Sequence, residues 1–316
     1  MTHQRIDFKI TLDTDPSLQL AATLHLPAAQ SLTARPPLFI CMPGGGYNRL
    51  YYDLPEPGYS QAEYHAARGI VTVTLDHLGV GESSLVAPEV CTLGHVADAN
   101  AAAVRQLLAM LRIGINGAPA IDPGAVIGVG QSMGGFVTVV MQARRRSFDA
   151  IAVLGASAVH TRFPSPVWQG AKPANGDADS VKLATEMWLN ADWRFAFHWD
   201  DVPAHLVDAD MECKPPIFGA PAPWISPTIP TIHDLLLPGV IAREAAMIDV
   251  PVLLAMGERD VTQDPLRELA AFQSAPDLAL SVFPRMAHMH NFAGTRVGLW
   301  RRLQAFGLQI TGQNGF

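Results

Sequence analysis

Two short stretches near the start of the chain, Ile6–Leu12 and Leu18–Leu26, alternate apolar and polar positions. That is the period-two signature of strands with one buried face, and their closeness predicts an antiparallel pair. Downstream the pattern changes. Six apolar runs rich in β-branched residues follow, at 37–42, 69–76, 125–130, 150–156, 250–257 and 278–283. Runs of this kind suit strands buried on both faces of a parallel sheet. Between most of them the apolar spacing is helical: Tyr59–Arg68, Thr92–Ile113, Met133–Arg145, Pro265–Phe272 and Asn291–Leu308. Alternating strand and helix predicts an α/β fold with a mostly parallel, doubly wound sheet.

Residues 158–246 break this rhythm. The stretch has no convincing buried strand, is rich in proline, and holds Trp168, Trp188, Trp193, Trp199 and Trp224, five of the six tryptophans. An insertion between consecutive sheet strands reads as a helical cap, with 1–157 and 247–316 as the core. Its aromatic rings serve either as packing within the insertion or as pocket wall. The proline-rich edge Pro215–Pro230 is a candidate hinge.

Composition narrows the picture. Of 316 residues, 49% are apolar and 16% charged, enough for a sizeable core, and the net charge is −7. An acidic chain is a poor match for nucleic acid or an anionic membrane, so neither is an expected partner. Cys41, Cys91 and Cys213 are an odd, scattered set, which fits a reducing compartment better than a disulfide framework. The N-terminal segment lacks a signal-like apolar core and no run is long enough to span a bilayer, so a cytoplasmic location is expected, with a homodimer left open.

The chemistry centres on GVGQSMGGF (128–136). Ser132 follows a buried apolar run and opens a helical pattern, the strand–turn–helix setting of a nucleophile elbow. The tight turn demands small neighbours two residues away, and Gly130 and Gly134 provide them. A serine hydroxyl needs a base, and the base an orienting acid. Asp260, just past the apolar run 250–257 with Gly257 releasing the chain into a loop, is the favoured acid. Glu258 is the nearby rival, and Asp264 before Pro265 reads as a helix N-cap. His288 is the favoured base. His290, two residues on, reads as loop support or pocket lining. An oxyanion needs donors, each worth about 2.7–4 kcal/mol. The Met133 N–H and a glycine of PGGGYN, Gly45 first and Gly46 second, are the candidates. A phosphate-binding loop is the competing reading of those glycines, but the Gly-Lys-Ser/Thr of such sites is missing.

These motifs together resemble the α/β-hydrolase superfamily: MPGGGY, LDHLGVGESS (75–84), GQSMGG, GERD and AHMHNF each fall after the expected strand. The resemblance implies a Ser132–Asp260–His288 triad, a Gly45/Met133 oxyanion hole, a cap over the site and no cofactor. Pro43 departs from the pattern, since many members have histidine there. Asp76 matches a family position and reads as holding the following loop. His198, Asp200, Asp201, His205, Asp208 and Asp210 tempt a metal reading, but their spacing fits an exposed helix face equally well, and no metal is expected.

The expected activity is that of a serine carboxylic ester hydrolase, an esterase or lactonase, working through an acyl-enzyme. Alternatives are hydrolysis of a carbon–carbon bond in a vinylogous diketone, or a ligand receptor that turns over slowly. Serine at the elbow, in place of aspartate, disfavours dehalogenase or epoxide hydrolase chemistry. The predicted substrate is neutral, bulky and apolar or aromatic. Trp188, Trp193, Phe195, Trp199, Phe218, Trp224 and His290 are the candidate pocket wall, and the dispersed basic residues form no clamp for an anion.

Overall fold

In the computed structural model, which describes residues 3–164, 192–212, 221–226, 228 and 234–312, the apolar pattern resolves into one eight-stranded sheet. β1 (Gln4–Thr11) and β2 (Gln19–Leu26) form the antiparallel pair. β3 (Pro37–Met42), β4 (Val71–Leu75), β5 (Ala125–Gln131), β6 (Ala150–Leu154), β7 (Val252–Arg259) and β8 (Leu278–Ala287) complete the order β1-β2-β4-β3-β5-β6-β7-β8. β2 and β4 pair antiparallel; every pair from β4–β3 onward is parallel.

The central strands are buried on both faces, which is why they read as continuous apolar runs. Alternate residues enter two different cores. Leu38, Ile40 and Met42 pack with α2 (Leu93–Ile113) and α3 (Met133–Arg145), whereas Phe39 and Cys41 pack with α8 (Arg296–Ile310) on the other side. α1 (Gln61–Ala66) opens on Ser60, whose side chain accepts from the Glu63 N–H. Thr92 does the same for α2 through the His95 N–H, placing that boundary where the sequence predicts it.

Between β6 and β7 the described residues hold α4 (Trp193–Phe197), α5 (Ala204–Met211) and α6 (Ala242–Ala246), and no strand. Ile241 and Ala245 pack in the same core as α3. No helix among the described residues is long and apolar enough to cross a membrane.

Three local expectations need correction. β7 does not end at Gly257 but runs to Arg259, and β8 runs to Ala287, past Pro284. The two stay paired through a register shift, with Gly257 opposite Phe283 and Arg259 opposite Ala287. Pro284 is tolerated because β8 is an edge strand, and the irregularity absorbs the missing donor. Gly257 is needed inside the strand, since a Cβ there would lie 2.5 Å from the Met286 carbonyl oxygen. The helix predicted over Pro265–Phe272 is α7 (Pro265–Leu269), and the Asp264 side chain makes no cap bond. The segment predicted as helix from Asn291 starts with a 3₁₀ turn, and α8 begins only at Arg296. Asn291 is spent elsewhere: its side chain accepts from Trp300 Nε1 and donates to the Tyr51 carbonyl.

The tightest packing lies where β5 turns into α3. A Cβ on Gly130 would sit 2.1 Å from the Gly134 carbonyl oxygen, and one on Gly134 would sit 2.0 Å from that of Met42. Gly134→Ala should therefore force α3 away from β3 at a cost of at least about 1–3 kcal/mol. Calorimetry should show a clearly lower Tm; an unchanged Tm would mean that the turn can shift freely.

Candidate active site

Ser132 ends β5 and begins α3 with φ 52° and ψ −119°, outside the conformations open to most side chains. Its N–H donates to the Leu154 carbonyl and its carbonyl accepts from Gly135 and Phe136, so the strained turn is fixed from both sides. The hydroxyl stands at the carboxyl edge of the sheet, above the first turn of α3, where backbone N–H groups are unpaired by helix geometry.

His288 Nε2 lies 2.9 Å from Ser132 Oγ, and His288 Nδ1 lies 2.7 Å from Asp260 Oδ1. A carboxylate only accepts, so Nδ1 carries the proton and Nε2 faces the hydroxyl as an acceptor. Glu258 does not take part: it accepts from the Arg285 N–H across the β7–β8 irregularity. Asp260 is fully enclosed. Its Oδ1 also accepts from Val261 N–H and its Oδ2 from Gly257 N–H, each at 2.8 Å. Burial alone would raise its pKa, but the charge that the His290 and His288 rings carry when protonated, with the hydrogen bonds they donate, outweighs burial and holds it well below the ordinary carboxylate range. The carboxylate is ionised throughout the range in which a histidine titrates.

His290 is not in the wall of the cavity beside Ser132. It is buried, and its Nε2 reaches Asp260 Oδ2 at 2.7 Å. Gly155, in the left-handed region at φ +55°, closes the underside of this group; a Cβ there would sit 3.1 Å from His288 Nδ1 and 3.2 Å from Asp260 Oδ1.

The loop after β3 runs beside the hydroxyl. A Cβ on Gly44 would lie 2.4 Å from Gln131 Oε1 and 3.1 Å from Ser132 Cβ, so this glycine permits the close approach. Gly45 lines a cavity together with Ser132 and Met133. Gly46, at φ +82°, turns the chain away and gives its carbonyl to the Ser226 N–H. His77 supports the loop from below, donating from Nε2 to the Pro43 carbonyl at 2.8 Å and accepting at Nδ1 from Asn100 at 2.7 Å. Burial pushes its pKa down to about 4, which keeps it neutral for both roles. Asp76 accepts from the Arg49 and Glu82 N–H groups and pairs with the Arg49 guanidinium, so it braces the loops around it.

A second buried carboxylate ties this loop to the insertion. Asp210 Oδ2 accepts from the Tyr47 hydroxyl at 2.7 Å and His198 Nε2 at 2.9 Å, and Oδ1 accepts from Trp224 Nε1 at 2.9 Å. Backbone bonds run alongside, from Asn48 N–H to the Trp224 carbonyl and from Ser226 N–H to the Gly46 carbonyl. Residues 224–226 are thus stitched to the glycine loop, which argues against a hinge there.

The same contacts dissolve the apparent metal cluster. His198 and Asp210 pair with each other, Asp200 with Arg259, Asp201 with Arg285, Asp208 with Arg194, and His205 with Glu56. Among the described residues no group of three histidine, cysteine or acidic side chains could hold a metal ion.

The cavity at Ser132 has about 30 Å³ of free space. The core contributes Gly45, Ser132, Met133, Phe136, His288 and Met289 to its wall. The segment between β6 and β7 contributes Thr161, Phe163, Phe197, Leu235 and Leu236. Four of the predicted wall residues lie elsewhere. Trp193 stands behind the wall, edge-on to Phe163 and Phe197. Phe195 and Trp199 sandwich the Arg259 guanidinium, and Trp224 packs on Phe292. The physical reason for three of them is a polar partner outside the cavity: Arg259 for Phe195 and Trp199, and the buried Asp210 carboxylate for Trp224, whereas Trp193 packs on the wall aromatics. Trp188 and Phe218 fall outside the described residues.

The model of the alpha/beta hydrolase family matches residues 39–297. The chain belongs to the α/β-hydrolase family. No curated protein matches its sequence. Among solved structures, an esterase from Thermogutta terrifontis is 15% identical with a TM-score of 0.60, covering 98% of this chain and 99% of its own. A proline iminopeptidase from Mycobacterium smegmatis is 18% identical with a TM-score of 0.61, covering 98% and 100%. A bromoperoxidase from Bacillus anthracis is 15% identical with a TM-score of 0.62, covering 96% and 100%. At such identities the likeness establishes the α/β-hydrolase fold alone.

Sequence reasoning missed several parts of this hydrolase site: Gly44, Gly155, the His77–Asn100 support, and Thr161 and Phe163 in the wall. Gly155 lies inside the run read at 150–156, and the strand in fact ends before it at Leu154. Asp210→Ala should remove the acceptor shared by three buried donors, each costing about 1–3 kcal/mol when left unpaired. Chemical denaturation should show a loss of several kcal/mol, with Asp210→Asn losing less. Equal stability of Asp210→Ala and wild type would show that the stitch is not needed.

Proposed function

We propose that this chain is a serine hydrolase that cleaves neutral, apolar or aromatic carboxylic esters or lactones through an acyl-enzyme. The observation that carries the reading is the unbroken row from Ser132 Oγ through His288 to Asp260, with contacts of 2.9 and 2.7 Å. Ser132 Oγ attacks the acyl carbon while His288 Nε2 takes its proton. The N–H groups of Met133 and Gly45 receive the negative charge on the carbonyl oxygen. The proton passes from His288 to the leaving alkoxide, and the acyl group stays on Ser132. Water then repeats the sequence, giving its proton to His288 and releasing the acid. Asp260 stays ionised and stabilises the imidazolium at each step.

The wall composition supports the substrate class. Apart from Ser132 and His288, Thr161 is the sole polar side chain among the described lining residues, and none is charged. An anionic acyl group would lose its hydration there without a partner. An apolar group gains about 25 cal/mol for each Å² buried. Phe163, Phe197, Leu235 and Leu236, which line the cavity from the insertion side, are the side chains that would part to admit an acyl group. In this reading residues 158–246 act as the lid.

Ser132→Ala should abolish turnover of a chromogenic aryl ester, leaving only the residual rate that binding and the oxyanion donors provide. A fluorophosphonate should label wild type and not the variant; labelling of both would sink the assignment. Because Asp260 is held ionised, the loss of kcat/KM on the acid side should report protonation of His288. Neutral phenylalkanoate esters should exceed acetate esters and acidic acyl groups in kcat/KM. A preference for acetate or for charged acyl groups would overturn the substrate class.

A further inference from the structure

The carboxylate that orients the base serves two histidines. Asp260 accepts four hydrogen bonds, two on each oxygen: Val261 N–H and His288 Nδ1 on Oδ1, Gly257 N–H and His290 Nε2 on Oδ2. The arrangement is nearly symmetric, since both imidazole contacts are 2.7 Å. The rings, 6.4 Å apart and 75° to one another, approach the carboxylate from two directions. Only His288 reaches Ser132.

The second histidine's protonation follows from its surroundings. Nε2 faces a carboxylate oxygen and must donate. Nδ1 is buried and has no hydrogen-bond partner among the described residues. A cation would carry a second N–H into that unpartnered position, which makes the neutral Nε2–H form the one that fits. The titratable groups facing the pair are Asp260 from the loop after β7 and Ser132 from the elbow. The Tyr51 hydroxyl, which accepts from the neighbouring Asn291 N–H, is the third. The rings of Phe163 and Phe197 cover His288 on its other side.

A carboxylate with every lone-pair direction occupied is a weaker acceptor for any one donor. We propose that His290 is a positioning residue of the triad: its Nε2–H fixes Asp260 Oδ2 and limits the negative charge that the carboxylate offers to His288. The effect is to keep the His288 imidazole neutral, and so competent as a base, to lower pH than an otherwise identical site with one histidine. The geometry gives His290 no contact with substrate, because it is buried beneath the carboxylate and is not part of the cavity wall.

This inference rests on the reading of Ser132, His288 and Asp260 as a triad, and its test separates the two. In wild type labelled with ¹⁵N-histidine, His290 should be neutral and protonated on Nε2, and His288 on Nδ1. A His290 proton on Nδ1 overturns the proposal, whatever the variants do. His290→Phe keeps the bulk and removes the donor. It should move the acid limb of kcat/KM upward by about half a unit to one unit, the size expected of one hydrogen bond, with KM little changed. His290→Gln, which can donate from a similar position, should return the limb towards wild type. A limb that stays at the wild-type pH in His290→Phe overturns the proposal even if the rate falls, because a merely structural role lowers the plateau without moving the limb. Should His290→Phe not fold, the nitrogen shifts of wild type decide alone. Fluorophosphonate labelling of wild type with an unmoved limb sinks the role of His290 only; no labelling sinks the hydrolase reading.

Discussion

The site depends on how closely three backbones approach one another. No Cβ fits at Gly130 or Gly134, because the carbonyls of Gly134 and Met42 already occupy the space. That contact forces the chain to reverse within a single residue, and the residue that takes the strain is Ser132. The same closeness brings the glycine loop after β3 alongside the first turn of α3, so Gly45 and Met133, from two separate elements, line one cavity. The strain is held by hydrogen bonds on both sides of the turn and by the burial of β5 between its neighbours. The cost of that conformation, of order 1–3 kcal/mol for a non-glycine residue at such a backbone angle, falls on the fold and not on each turnover.

Two kinds of environment meet at Ser132. Towards solvent and the insertion the walls are apolar, with Phe163, Phe197, Leu235 and Leu236 excluding water. Beneath it the groups are polar and tied to fixed partners: Asp260 with four donors, His77 between Pro43 and Asn100, and Gln131 donating to the His288 carbonyl. In a low-dielectric interior a polar group that is fully paired is also fixed in direction. The polar layer therefore sets geometry, and the apolar layer sets what can approach it.

Much of this was legible in the sequence, for a definite reason. Strand and helix positions follow from the period of apolar residues, and the elbow is a local turn whose requirement for small residues is written within five positions. The order of Ser132, Asp260 and His288 after successive strands could be read in the same way. What could not be read is which polar groups meet across the fold. His198 and Asp210 look like members of an exposed acidic helix, yet they are drawn inward because Tyr47 and Trp224 bring donors from elsewhere. Phe195 and Trp199 look like pocket wall until Arg259, distant in sequence, is seen between them. His290 reads from the sequence as loop support or pocket lining, and its pairing with Asp260 is not visible in the apolar pattern. Apolar periodicity reports burial; it carries no information on pairing.

The stitch between residues 224–226 and the loop at 46–48 bears on how such a chain can diversify. An insertion that only roofs a cavity is a module, free to be lengthened, recombined or replaced while the core keeps its chemistry. Here Asp210, Trp224 and Ser226 also hold Gly46, Tyr47 and Asn48, the loop directly after Gly45 of the cavity wall. Exchanging the roof for that of a distant relative would disturb the floor as well. The two regions are bound to change together, so new specificity in this scaffold is more readily reached by altering single wall residues than by transplanting the insertion whole.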